Sequence, residues 1–70
     1  MIQAIIIDKN IFSLSDAKKI LHDLKARPIK PVHETENYYR FRIKEPDYKK
    51  YHYKTKTIKK GIKLIVGFKY

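Results

Sequence analysis

Only one segment of this 70-residue chain has the apolar spacing of a helix, and that segment limits the folds available to it. Spacings of three and four put its apolar residues on one stripe: Leu14, Ala17, Ile20, Leu21 and Leu24. Ser13 is placed to cap the helix start, and Asp16 stands where a capping box has its acid. Because one amphipathic helix has one face to bury, we predict that it covers one face of a sheet.

The segments beside the helix predict a buried strand before it and an extended connector after it. Residues 2–7 are a nearly continuous, isoleucine-rich apolar run, which is typical of a central strand buried on both faces. Pro28 and Pro31 are expected to stop the helix and to keep the connector extended, because proline cannot continue a helix.

The C-terminal half predicts three more strands. Residues 37–44 alternate, with Tyr39, Phe41 and Ile43 on one face. Residues 51–58 form a second alternating segment, and residues 59–61 form a hairpin turn in which Gly61 supplies a positive φ. The last strand turns these residues inward: Ile62, Leu64, Val66 and Phe68.

Together these elements predict one α+β domain over residues 1–70. Its small, mostly antiparallel sheet is expected in the order strand, helix, strand, strand, strand, with the helix packed on one face. The other face is left open to solvent or to a partner. The alternation predicts that this open face displays a set of cations: Arg40, Arg42, Lys44, Lys54, Lys56 and Lys63.

Charge and aromatic residues point to a polyanionic partner. Residues 37–70 hold eleven Lys or Arg against two acids, and they hold all six tyrosines. Cations neutralise phosphates and tyrosine rings stack on bases, so we predict largely non-specific binding of DNA or RNA. The candidate nucleic-acid-binding residues are Tyr38, Arg40, Arg42, Lys44, Tyr51, Lys54, Lys56, Lys59, Lys60 and Lys63.

Two other roles are compatible with the same basic face. It could contact an acidic protein partner or pack between capsid subunits, with Ile58 and Ile65 as outward apolar residues adjacent across the hairpin. It could also be a charged surface that keeps the domain soluble and monomeric. The sequence decides neither this choice nor the oligomeric state.

No pattern in the chain predicts an enzyme, a cofactor or a metal site. Ser13 and Ser15 lack a nearby histidine or a glycine elbow, so neither is expected to be a nucleophile. The three histidines lie on separate predicted elements without metal-ligand spacing, and there is no cysteine. We therefore predict a non-enzymatic domain.

The sequence also predicts neither secretion nor a membrane span. The apolar start is interrupted by Asp8 and Lys9, has no basic region before it, and lacks a small-residue cleavage site, so it is not a signal peptide. No run approaches the ~20 apolar residues of a membrane span.

Three stretches resemble a small uncharacterised domain that recurs in proteins of tailed phages and large DNA viruses. They are S-L-S-D-A-K-K-I-L from Ser13, the block from Pro31 to Arg42 that ends in E-T-E-N-Y-Y-R-F-R, and the tail K-T-K-T-I-K-K-G-I-K-L-I-V-G. The chain departs from that pattern at Pro28 and Ile29, where such domains often have a glycine turn. The resemblance implies a viral origin and a place in the virion, on the genome, or in the nucleus or cytoplasm of the host. It implies no catalytic residues.

Overall fold

The computed structural model describes residues 1–70 as one antiparallel sheet with one helix. Its elements are β1 (Ile2–Asp8), α1 (Leu14–Asp23), β2 (His33–Glu34), β3 (Tyr38–Arg42), β4 (Tyr51–Lys59) and β5 (Ile62–Lys69). The strand order across the sheet is β2-β3-β1-β5-β4. The α+β class with a small antiparallel sheet is confirmed. The predicted succession of elements was wrong in one respect, because it lacked β2, whose two residues are too few to leave an alternating pattern.

Strand β1 lies at the centre of the sheet, as the continuous apolar run predicted. It pairs with β3 on one side and with β5 on the other, both antiparallel. Ile5 and Ile7 are fully buried, and Ala4 on the opposite face is fully buried as well. Ile6, on the same face as Ala4, is only partly buried, so β1 is fully covered on the helix side and partly covered on the other. Apolar residues on both faces of a central strand remove the alternation of polar and apolar residues.

The helix packs its apolar stripe on the face of the sheet that carries Ile5 and Ile7. Ala17 and Leu21 are its two buried residues, and Leu14 and Ile20 pack against the same core. The buried core cluster consists of Ile5, Ile7, Ala17, Leu21, Tyr39, Phe41 and Leu64. The inward face predicted for β3 is confirmed by Tyr39 and Phe41, whereas β4 contributes no residue to the cluster.

Specific hydrogen bonds close both ends of the helix, from side chains to the backbone at the start and within the backbone at the end. The capping box predicted at the start is present, because Asp16 N–H donates to Ser13 Oγ at 3.2 Å and Ser13 N–H donates to Asp16 Oδ2 at 3.3 Å. At the other end, Ala26 N–H donates to the Leu21 carbonyl and Lys25 adopts a left-handed φ of 55°. This is a Schellman ending. Pro28 therefore does not stop the helix, which ends before it.

The β4–β5 hairpin contains an extra residue that decides which way its side chains face. Thr57 pairs with Lys63 but Lys59 pairs with Ile62, so Ile58 has no partner and forms a bulge. A one-residue shift exchanges the two faces of a strand. Lys54 and Lys56 consequently pair with Val66 and Leu64 on the helix side of the sheet, and their predicted place on the open face was wrong.

The bulge also separates the two outward isoleucines. Ile65 pairs with Thr55 and with Ala4 on the open face, while Ile58 is 47% exposed and unpaired. The two isoleucines are not adjacent across the hairpin, so the prediction that they lie side by side as an outward apolar pair was wrong.

Gly61 in the hairpin turn is expected to tolerate no side chain. Its φ is +86°, and a Cβ there would lie 2.9 Å from Phe12 Cε2 and 3.0 Å from Ile11 Cδ1. We expect Gly61→Ala to lower the free energy of unfolding by roughly 1–3 kcal/mol, from backbone strain and crowding together. Urea denaturation followed by circular dichroism measures this loss. A neutral result would mean that the turn relaxes freely around the new methyl group.

Candidate nucleic-acid interface

The face of the sheet opposite the helix, here called the open face, carries a basic half on strand β3. Arg40 and Arg42 pair with Ile6 and Ala4 of β1, which places both arginines away from the helix. Lys63 pairs with Ile6 from the other side, so it shares this face. Of the cations predicted on the open face, these three share that face, with Arg40 and Arg42 on β3 and Lys63 on β5, on the other side of β1.

A depression of about 380 Å³ lies at the β2–β3 edge of the open face and has no apolar side chain beyond a proline in its wall. It is lined by Lys30, Pro31, His33, Arg40 and Arg42. His33 reaches it because β2 pairs His33 directly with Arg40. Convergent cationic groups with little apolar surface suit an anion better than an apolar ligand, because arginine can donate in parallel to two phosphate oxygens.

Glu45 partly neutralises this depression. Its Oε1 lies 3.1 Å from Lys30 Nζ and its Oε2 lies 3.6 Å from Arg42 Nη1. All three side chains are substantially exposed, so each ion pair is worth at most ~1 kcal/mol. A phosphate that arrives at the depression can therefore displace the carboxylate at low cost.

A cluster of tyrosines occupies the β4 side of the open face. Tyr53 pairs with Gly67, and a Cβ on that glycine would lie only 2.8 Å from Tyr53 Cε1, so the glycine makes room for the ring. Tyr48 meets Tyr53 edge to face at 5.4 Å, and Tyr51 lies 6.4 Å from Tyr53 between ring centroids. Tyr48 is 74% exposed and offers a free ring at this end of the face.

The remaining predicted residues are spread around the molecule. Lys44 is exposed just after β3, and Lys59 and Lys60 are exposed at the hairpin end. On the helix side, Lys56 Nζ lies 5.1 Å from the centre of the Phe68 ring, which also stacks on His52. None of these cations joins the row formed by the two arginines and Lys63, and Lys56 lies on the opposite side of the sheet.

Lys30, His33 and Tyr48 were absent from the predicted site. Lys30 and His33 come from the connector and from β2, which have no alternating pattern to show their direction. Tyr48 lies in the loop before β4, although the tyrosine-rich run from 48 to 53 was a usable signal. Nowhere in the chain do three or more metal-ligating side chains converge on a possible ion site. The single helix also lacks the length and apolarity needed to cross a membrane.

Comparison with protein-family models, with curated proteins and with solved structures finds no match for this chain. The resemblance to a domain of phages and large DNA viruses therefore stays a prediction.

Proposed function

We propose that this domain binds nucleic acid without catalysing a reaction, through the open face of its sheet. The observation that carries the proposal is the convergence of Lys30, His33, Arg40 and Arg42 around one depression. Lys63 extends the cationic row onto the next strand but one. In this proposal the cations neutralise phosphates of a single strand that crosses the sheet.

The tyrosines supply the second half of the proposed contact. Tyr38 stands on β3 beside the arginines, and Tyr48 and Tyr51 stand beyond β5 at the other side of the face. A base has a π-face whatever its identity, so stacking adds affinity with little sequence preference. Lysine outnumbers arginine fourteen to three, which favours contacts with the phosphate backbone over bidentate reading of base edges.

A viral setting is the context that we propose for this binding, as a protein of the virion or of the infected cell that associates with the genome. It rests on the resemblance of the block that ends in Y-Y-R-F-R. Strand β3 carries the last five residues of that block, and the same strand supplies both arginines of the depression.

The test is a titration of single-stranded and duplex DNA and RNA over a series of salt concentrations. Phosphate neutralisation makes the logarithm of the binding constant fall linearly with the logarithm of salt, by about 0.7 per phosphate for a single strand. We expect a single-strand slope that corresponds to at least three phosphates. Binding that is absent at low salt, or that does not respond to salt, would contradict the proposal.

A protein partner is the second candidate, and the free edge of β4 is the observation that favours it. This nine-residue strand pairs only with β5, so its outer backbone groups have no strand beside them. Lys54, Lys56 and Lys59 lie along it. An acidic extended segment, for example from a capsid subunit, could add to this edge as a further strand. Protection of β4 amides from hydrogen exchange by an acidic peptide, persisting at high salt, would support this role.

Removing the charge of Glu45 is expected to tighten nucleic-acid binding. Glu45→Gln frees Lys30 and Arg42 from their carboxylate partner, so we expect single-strand affinity to rise roughly two- to tenfold at low salt. Fluorescence anisotropy measures it. Asp23→Asn, which makes the same charge change on the helix, is the control. Equal tightening in both variants would mean that net charge, and not the depression, sets the affinity.

A further inference from the structure

We infer that the open face holds a pocket for one nucleobase and that Asp8 gives this pocket a preference for guanine. The inference deepens the proposed function and rests on it. The pocket is a second depression, of about 390 Å³, around Ile6, Asp8, Asn37, Tyr38, Thr55 and Lys63. It adjoins the basic depression along β3, because Tyr38 and Arg40 are two residues apart on the same face.

The pocket has the parts that a single base requires. Ile6 provides an apolar floor at the centre of the sheet, and the half-buried Tyr38 provides a ring on which a base can stack. Lys63 lies in the wall of this pocket and pairs across the sheet with Ile6, so it can meet the phosphate of the same nucleotide. Successive residues on one strand face are about 7 Å apart, so the phosphate site at Arg40 lies within a nucleotide's reach.

Asp8 is the one feature of this pocket that a role in phosphate binding does not explain. It is an acid on the face that carries the arginines, directly opposite Tyr38, and it forms no ion pair. Its Oδ1 accepts the N–H of Asn10 at 2.8 Å, and no protein donor bonds to Oδ2. A carboxylate there weakens phosphate binding unless it accepts hydrogen bonds from the ligand.

Guanine is the base whose Watson–Crick edge fits such an acceptor. An ionised carboxylate only accepts hydrogen bonds, and guanine presents two adjacent N–H donors, at N1 and at the exocyclic N2. Adenine and cytosine present one amino group beside an acceptor, and thymine presents one N–H between two carbonyls. The Asn37 side chain, which makes no hydrogen bond within the protein, borders the same pocket and can donate to the guanine O6.

The test compares short thymidine strands that carry one central dG, one dI or one dA, and a strand with none. Hypoxanthine, the base of dI, is guanine without its exocyclic amino group, so it removes one of the two donors to Asp8. We expect the dG strand to bind roughly tenfold more tightly than the dA strand, with dI between them. Equal affinities for the dG, dI and dA strands would overturn the inference.

Asp8→Asn is the matched variant. Its side-chain oxygen can still accept from Asn10 N–H, which preserves the turn after β1, but it replaces the free carboxylate oxygen with a donor. We expect the preference for dG to disappear while the all-thymidine strand binds as well as before or better. A dG preference that survives in a folded Asp8→Asn domain would overturn the inference. If the variant does not fold, the comparison of the dG, dI and dA strands on the unaltered protein decides whether the pocket prefers guanine.

The all-thymidine strand separates this inference from the function on which it rests. If that strand binds in a salt-dependent way and dG gives no preference, the guanine pocket is contradicted but the phosphate-binding face is still supported. Failure of every strand to bind would remove both.

Discussion

Reversing the two arginines of the basic depression, as Arg40→Glu with Arg42→Glu, is expected to weaken single-strand binding at least a hundredfold. A hydrogen bond to a charged group is worth ~1.5–3 kcal/mol, and each of these side chains is proposed to make at least one to a phosphate. The salt slope should also fall by about 1.4, which corresponds to two lost phosphate contacts. Both arginines lie on the open face and outside the core cluster, so the domain should remain folded.

The control for this experiment carries the same change of charge on the helix. Lys18 and Lys19 are exposed on α1, on the other side of the sheet, so Lys18→Glu with Lys19→Glu alters net charge without touching the open face. We expect its effect to be several times smaller. A folded arginine variant with unchanged affinity would place binding elsewhere. Equal losses in both variants would mean that long-range attraction dominates.

Truncation of Phe41 is expected to have the largest effect on stability. This side chain is 3% exposed, lies in the core cluster and stands opposite Ile5 on the central strand. Phe41→Ala should cost ~3–5 kcal/mol through lost burial and the cavity that remains. A domain of this size has only a small margin of stability, so the variant is expected to be largely unfolded at room temperature.

Tyr70→Ala is the matched control, because that ring is 77% exposed. It should change the free energy of unfolding by less than about 1 kcal/mol. Urea denaturation followed by circular dichroism compares the two variants with the parent. A loss below about 1 kcal/mol for Phe41→Ala as well would show that the helix and sheet do not enclose a close-packed core.

Local patterns in the sequence were sufficient to predict the elements that depend on residues close together in the chain. The capping box of Ser13 and Asp16, the alternation around Phe41 and the turn at Gly61 each depend on residues a few positions apart. The end of the helix was not visible in this way. Lys25 takes the left-handed position that glycine usually fills, and because lysine has no preference for that conformation, the residue type does not predict the helix end.

The site was harder to predict because it depends on register. Alternation in β4 was correct, but alternation does not say which of the two faces turns outward. The bulge at Ile58 turned Lys54 and Lys56 to the helix side, and nothing in the surrounding residues marks it. His33 joined the basic depression only through β2, whose pairing with Arg40 is a tertiary contact without a periodic signal.

The central position of β1 also constrains how the chain can acquire its structure during synthesis. β1 is made first, yet one of its two neighbours is β5, the last strand of the domain, and the Met1 ammonium bonds to the Gly67 carbonyl at 2.9 Å. Such long-range pairings form slowly, since distant parts of the chain must meet before any contact compensates for the lost entropy. During synthesis, the edge of the isoleucine-rich β1 that pairs with β5 therefore remains unpaired until residues 62–69 have been made, and an unpaired apolar strand edge is prone to aggregation in that interval.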